Sequence, residues 1–139
     1  MISYDNIKFK SKLEASCYKK LEASGLKFKY EPERIPLWVG ENINNTIVYE
    51  VDKRDRKLLS EKKDNFKLRD ITYTPDFKIE HKNYIAYVDA KGFVNDVYPI
   101  KKKMFIQYLN NIKDNKKYIF FEPRSVKHML QIINIIKTL

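Results

Sequence analysis

Two strand-like runs, Ile71 to Ile79 and Tyr84 to Ala90, are separated only by Glu80, His81, Lys82 and Asn83. Runs rich in β-branched and aromatic residues, joined by so short a polar link, predict an antiparallel hairpin. The flanking sequence supplies helices to cover it. From Ser11 to Ser24, Leu13, Cys17 and Leu21, with Tyr18, recur at helical spacing as one buried face, and Gly25 suits the position after the last turn. Leu26, Phe28 and Tyr30 then alternate with Lys27, Lys29 and Glu31 as in a half-buried strand, and Ile35 to Val39 is the next candidate. Pro99 opens a helix to about Ile112, with Met104, Phe105, Tyr108, Leu109 and Ile112 on its apolar side. Lys117 to Phe121 reads as an aromatic strand ended by Pro123, and Ser125 caps a last helix. Strand, helix, strand near the end requires a crossover, which is right-handed. The expected fold is therefore α/β, a mixed central sheet flanked by helices, in the order α-β-β-(arm)-β-β-α-β-α.

The arm is the segment from Gly40 to Arg69. It carries Lys53, Arg54, Arg56, Lys57, Lys62, Lys63, Lys67 and Arg69, with one short strand expected from Thr46 to Val51. An insertion of this length in a small domain is usually functional or disordered. With 139 residues, the chain is expected to be one domain, 1–139, interrupted by this basic arm.

Charge and composition narrow the chemistry. Twenty-eight Lys and Arg against 18 Asp and Glu give +10 at pH 7. That favours a polyanionic partner, nucleic acid before an anionic membrane surface. One cysteine, Cys17, excludes an internal disulfide framework and a cysteine-cluster zinc site. Two histidines far apart, His81 and His128, make a His-rich metal site a poor fit. A metal here would be held by carboxylates, which suits a hard cation such as Mg²⁺, with Mn²⁺ able to substitute. There is no apolar signal core and no run of 18 or more apolar residues. The expectation is a soluble, cytoplasmic protein with neither a membrane partner nor a small-molecule cofactor.

The candidate chemistry lies in Thr74-Pro75-Asp76-Phe77 and Tyr87-Val88-Asp89-Ala90-Lys91-Gly92. Asp89 and Lys91 are two apart, so a strand sends both side chains to one face. Pairing of the two runs brings Asp76 beside Asp89. Two carboxylates that close repel unless a cation neutralises them. Asp76 and Asp89 would hold the cation, with the carbonyl of Ala90 as a further oxygen. Lys91 would stabilise charge building on a phosphate or orient the attacking water. Taken singly, Asp76 is also a turn residue and Asp89 with Lys91 an exposed ion pair.

This pattern, Pro75-Asp76, twelve residues, then Asp89-Ala90-Lys91, resembles the PD-(D/E)xK nuclease superfamily. Ser11-Lys12-Leu13-Glu14-Ala15 and Phe28-Lys29-Tyr30-Glu31-Pro32 are similar to the small phage-type endonucleases of that superfamily, Holliday-junction resolvases among them. The resemblance spans Ser11 to about Phe121 and leaves the arm unassigned. It implies a restriction-endonuclease-like fold and a metal-dependent endodeoxyribonuclease. Glu14 would complete the metal site, making Glu14, Asp76, Asp89 and Lys91 the catalytic set. Ser11-x-x-Glu14 is equally a capping box, which does not exclude that role. Many relatives carry Glu where this chain has the shorter Asp89. Glu31 would sit behind the ligands.

Lys101, Lys102 and Lys103, with Lys53, Arg54 and Arg56 of the arm, are the candidate phosphate contacts. Branched DNA such as a Holliday junction is the substrate this resemblance favours. A four-way junction has two scissile strands near two-fold symmetry, which matches a homodimer in a bacterial or phage-infected cell. The alternatives are a nuclease of the same fold acting on single-stranded, flapped or linear duplex DNA, and a nucleic-acid-binding module with no catalysis.

Overall fold

A hairpin absent from the sequence expectation opens the chain. Strands β1 (Ile2–Tyr4) and β2 (Ile7–Phe9) pair antiparallel around Asp5 and Asn6. Their φ values of 54° and 62° are the left-handed values a tight two-residue hairpin turn demands. This computed structural model describes residues 2–62 and 66–139. Helix α1 (Lys12–Ser24) follows, capped by the Ser11 side chain and closed by Gly25 at φ 79°, a conformation that costs glycine little. Cys17 and Leu21 are fully buried on its inner face. Strand β3 (Lys27–Tyr30) keeps the expected alternation of exposed lysines and half-buried aromatics.

The chain forms two compact units, one of Met1–Ile35 with Tyr73–Leu139, the other Pro36–Thr72. The second corresponds to the arm. It is bounded by β4 (Ile35–Trp38) and, at its far end, β9 (Ile71–Tyr73), which pair with each other. Within it, β5 (Asn42–Ile43) pairs with β8 (Phe66–Lys67), and β6 (Tyr49–Val51) with β7 (Leu59–Glu61), both antiparallel. The expected strand at Thr46–Val51 is thus shorter, and it is one half of a hairpin. Gly40 is required where it stands, because a Cβ there would lie 1.9 Å from the Leu68 carbonyl oxygen. Lys63 of the basic run lies outside the described residues.

The run expected as one strand from Ile71 to Ile79 is two, β9 and a strand of the first unit. Thr74-Pro75-Asp76 interrupts it, since proline removes a ladder donor. Strand β10 (Phe77–His81) then turns through Lys82 and Asn83 into β11 (Tyr84–Val88). The turn is two residues, with Lys82 at φ 52°, where four had been expected. Helix α2 (Tyr98–Asn110) carries the chain across to β12 (Lys117–Phe121), which pairs parallel to β11. Helix α3 (Val126–Lys137), capped by Ser125, completes the fold.

The main sheet has the order β12-β11-β10-β3, antiparallel except for β11 with β12. The chain is therefore mixed α/β, with three helices among the described residues. On one face Phe77, Ile79, Ala86 and Val88 meet Cys17 and Leu21 of α1 and Met129, Ile132, Ile133 and Ile136 of α3. On the other, Phe105 of α2 contacts the rings of Tyr73, Tyr87 and Phe120. β11 is buried on both sides, which is why its sequence reads as an unbroken apolar run. None of the described helices is long and apolar enough to cross a membrane.

Candidate functional site

The hairpin register sets the site. Phe77 pairs with Val88, so the next residues outward, Asp76 and Asp89, emerge opposite each other at the open end of the hairpin. Beyond β11 the backbone still follows β12: the Asp89 N–H donates to the Phe121 carbonyl and the Lys91 N–H to the Pro123 carbonyl, both at 3.0 Å. The Asp89-Ala90-Lys91 segment is thus held on a rigid ladder.

Both aspartates are buried, Asp89 to 1% exposure. Asp76 Oδ2 accepts from the Ala90 N–H at 2.8 Å. Burial pushes the Asp76 carboxyl up to about 9; Asp89 beside it, by charge and hydrogen bonding, and the charge of Glu14 push the same way, against the Ala90 N–H. Asp89 Oδ2 accepts from the Tyr73 hydroxyl. Its Oδ1 is buried without a well-aligned hydrogen-bond donor, and its neighbouring cation is Lys91 Nζ at 3.2 Å. Lys91 is thus its charge partner, and a proton carried on Asp76 or a second cation would satisfy it further.

Lys91 is held twice. Asp89 pairs with its ammonium, and the Tyr98 ring lies under it, 4.5 Å from Nζ to the ring centroid. Tyr98 in turn donates to Glu122 Oε2 at 2.6 Å, and Glu122 also pairs with Lys102 at 3.0 Å and Arg124 at 3.3 Å. Lys102 therefore spends its charge on Glu122; Lys101 and Lys103 have no ion-pair partner among the described residues.

Glu14 is 6% exposed and serves the helix cap: its N–H donates to Ser11 Oγ at 3.1 Å, and Ser11 Oγ donates to its Oε2 at 3.1 Å. The Tyr30 hydroxyl holds its other oxygen at 3.0 Å. Glu14 and Asp76 lie near the same buried Cys17 thiol, which burial first and then these two charges push up to about 12. Even so, no three His, Cys, Asp or Glu side chains among the described residues form a ready-made metal cluster. Glu31 reaches the site through its backbone: at φ 45°, its N–H donates to the Asp76 carbonyl at 2.6 Å, while its carboxylate lies 4.0 Å from Lys10. In the arm, Lys53, Arg54 and Arg56 are exposed at the turn between β6 and β7, which Asp52 Oδ1 organises by accepting from the N–H groups of Arg54 and Asp55.

Sequence reasoning missed the tyrosines. Tyr30, Tyr73 and Tyr98 each place a hydroxyl or a ring against a charged site residue. The available signal was composition: ten Tyr leave many hydroxyls, and a buried one needs an acceptor.

Comparison with curated proteins and with solved structures finds no match. The model of the family described as "Protein of unknown function (DUF1064)" matches residues 1–121, a span that includes Glu14, Asp76, Asp89 and Lys91, and the chain belongs to that family.

Proposed function

We propose that this protein is a Mg²⁺-dependent endodeoxyribonuclease with a restriction-endonuclease-like fold. It acts on branched DNA as a homodimer inside a bacterial or phage-infected cell. One observation carries the reading: a buried Asp76–Asp89 pair at the open end of a hairpin, whose Asp89 Oδ1 has no well-aligned hydrogen-bond donor and faces the Lys91 ammonium at 3.2 Å. Two carboxyl groups side by side in a dry site, one of them held neutral, are costly as a stability device. Its donors are all oxygen, which fits a hard cation.

Asp76 and Asp89, with Glu14 and the Ala90 carbonyl, are the residues that would hold Mg²⁺ or Mn²⁺. The chemistry such an ion supplies when bound is polarisation of the phosphodiester and acidification of a water. Lys91 meets the negative charge that grows on the phosphate, and the Asp89 carboxylate and Tyr98 ring fix its direction. The Tyr73 hydroxyl keeps Asp89 from rotating. Lys101 and Lys103, at the start of α2, contact the DNA backbone, as do Lys53, Arg54 and Arg56 of the arm.

The test is cleavage of a four-way junction and of plasmid DNA with Mg²⁺, with EDTA, and by Asp89→Ala. Activity that needs Mg²⁺ and disappears in the variant supports the proposal; cleavage indifferent to both sinks it. Junctions cut no better than plain duplex would remove the branched-DNA part alone. The incomplete carboxylate cluster favours a second reading, a DNA-binding module with no catalysis. Under it, binding and biological activity survive Asp76→Ala and Lys91→Ala.

A further inference from the structure

Between Lys91 and α2 runs a six-residue loop, Gly92 to Val97, that the site chemistry does not use. It is anchored at both ends. The Lys91 N–H donates to the Pro123 carbonyl at 3.0 Å, and Asn95 Oδ1 accepts from the N–H groups of Val97 at 3.1 Å and Tyr98 at 2.9 Å. From this braced loop Phe93 projects with 86% of its surface exposed, the most exposed large apolar residue described. Val97 and Ile100 are exposed close by in sequence.

Single exposed apolar residues are common and usually mean nothing. Phe93 differs by its address. It stands two residues from Lys91, so their Cα atoms are at most about 7 Å apart. The same loop leads directly into Lys101 and Lys103, whose charges have no ion-pair partner among the described residues. An exposed apolar ring two residues from Lys91, on a loop followed by two cations without ion-pair partners and beside the proposed phosphodiester site, complements a nucleic-acid strand whose base is unpaired. Every base offers a face to stack on, while its backbone satisfies the lysines. A base stacked within intact duplex offers no such face.

We infer that Phe93 is a stacking platform for an unpaired base next to the scissile phosphate, so that the protein selects single-stranded or junction segments of DNA over continuous duplex. The inference rests on the nuclease reading for the site it adjoins, but its test reads binding and not cleavage.

The experiment uses the full chain with Ca²⁺ in place of Mg²⁺. Fluorescence anisotropy follows binding to a labelled 20-nucleotide single strand and to the matching 20-base-pair duplex. Phe93→Ala is expected to weaken single-strand binding about tenfold or more while changing duplex binding less than about twofold. Phe93→Trp should restore it. Circular dichroism and thermal melting should be unchanged in both variants, since the side chain is outside the core. Equal losses on both DNAs, or no loss on either, overturn the inference and leave the nuclease reading standing. So does a dimer in sedimentation that Phe93→Ala converts to monomer with no change in DNA affinity, since the ring would then serve a second copy of the chain. Failure of the wild-type protein to bind either DNA overturns both.

Discussion

Among the described residues, nine large apolar side chains stand exposed in Pro36–Thr72 against seven elsewhere, and Gly40 is the one buried residue in that segment. The other unit buries every member of the apolar core, from Phe9 to Ile136. The charges divide just as unevenly. The arm has eight Lys and Arg but also seven Asp and Glu, so it supplies +1 of the total of +10. Its basic tip is real, yet the net positive field belongs to the unit that carries the aspartates. The unit with the aspartates is a structure held by its own interior. The arm is a set of two-stranded ribbons, and ribbons of that kind are marginal alone. Its described side chains, apolar and charged alike, are almost all at the surface.

This contrast can be broken by mutation. The largest effect expected is catalytic: Asp76→Ala or Asp89→Ala should cut junction cleavage by on the order of a thousandfold, whereas Lys53→Ala with Arg54→Ala should act on affinity alone. Salt titration of binding separates the two classes. Next comes stability. Phe77→Ala, in the fully buried core, should cost about 3–5 kcal/mol in denaturant melts, and Tyr49→Ala, exposed in the arm, no more than about 0.5 kcal/mol. Comparable costs would mean that the arm has a hidden core. Tyr73→Phe should fall between, about 1–3 kcal/mol, because it strips the donor from a buried carboxylate oxygen.

A pH series sharpens the picture of the aspartate pair. Asp76 is held above its ordinary 3.8, at about 9, so the folded state favours the neutral acid. The stabilisation is complete below pH 3.8 and declines as pH rises toward and through about 9. Metal-free protein should therefore melt progressively lower across that range than Asp76→Asn does, relative to acid. Identical pH profiles for the two proteins would reject the coupling. A small effect is also expected from the largest deletion. Because β4 and β9 pair, replacing Pro36–Thr72 by a short Gly-Ser linker closes a small gap, and the remaining unit should melt within a few degrees of the intact chain.

What could be read in the sequence follows from how local each signal is. Ser11, Gly25 and Ser125 mark helix ends through their own backbone geometry, and all three stand at those ends. The hairpin and the opposition of Asp76 to Asp89 follow from strand period and a short turn. The opening hairpin escaped notice because its strands are three residues each and its turn is Asp5-Asn6 rather than a glycine pair. The tyrosines of the site were invisible for another reason. Tyr73 and Tyr98 reach Asp89 and Lys91 from a different strand and a different helix, and no sequence spacing encodes such a meeting.

The carbonyl of Pro123, on which the Lys91 backbone hangs, lies just past the 1–121 span that defines the family. A protein cut after Phe121 would retain all four proposed catalytic residues and lose this anchor. It would also lose Glu122 beneath Tyr98, and the helix whose Met129, Ile132, Ile133 and Ile136 line the main core. The matched span is thus shorter than the stretch that must fold, and any minimal fragment should extend to the end of α3.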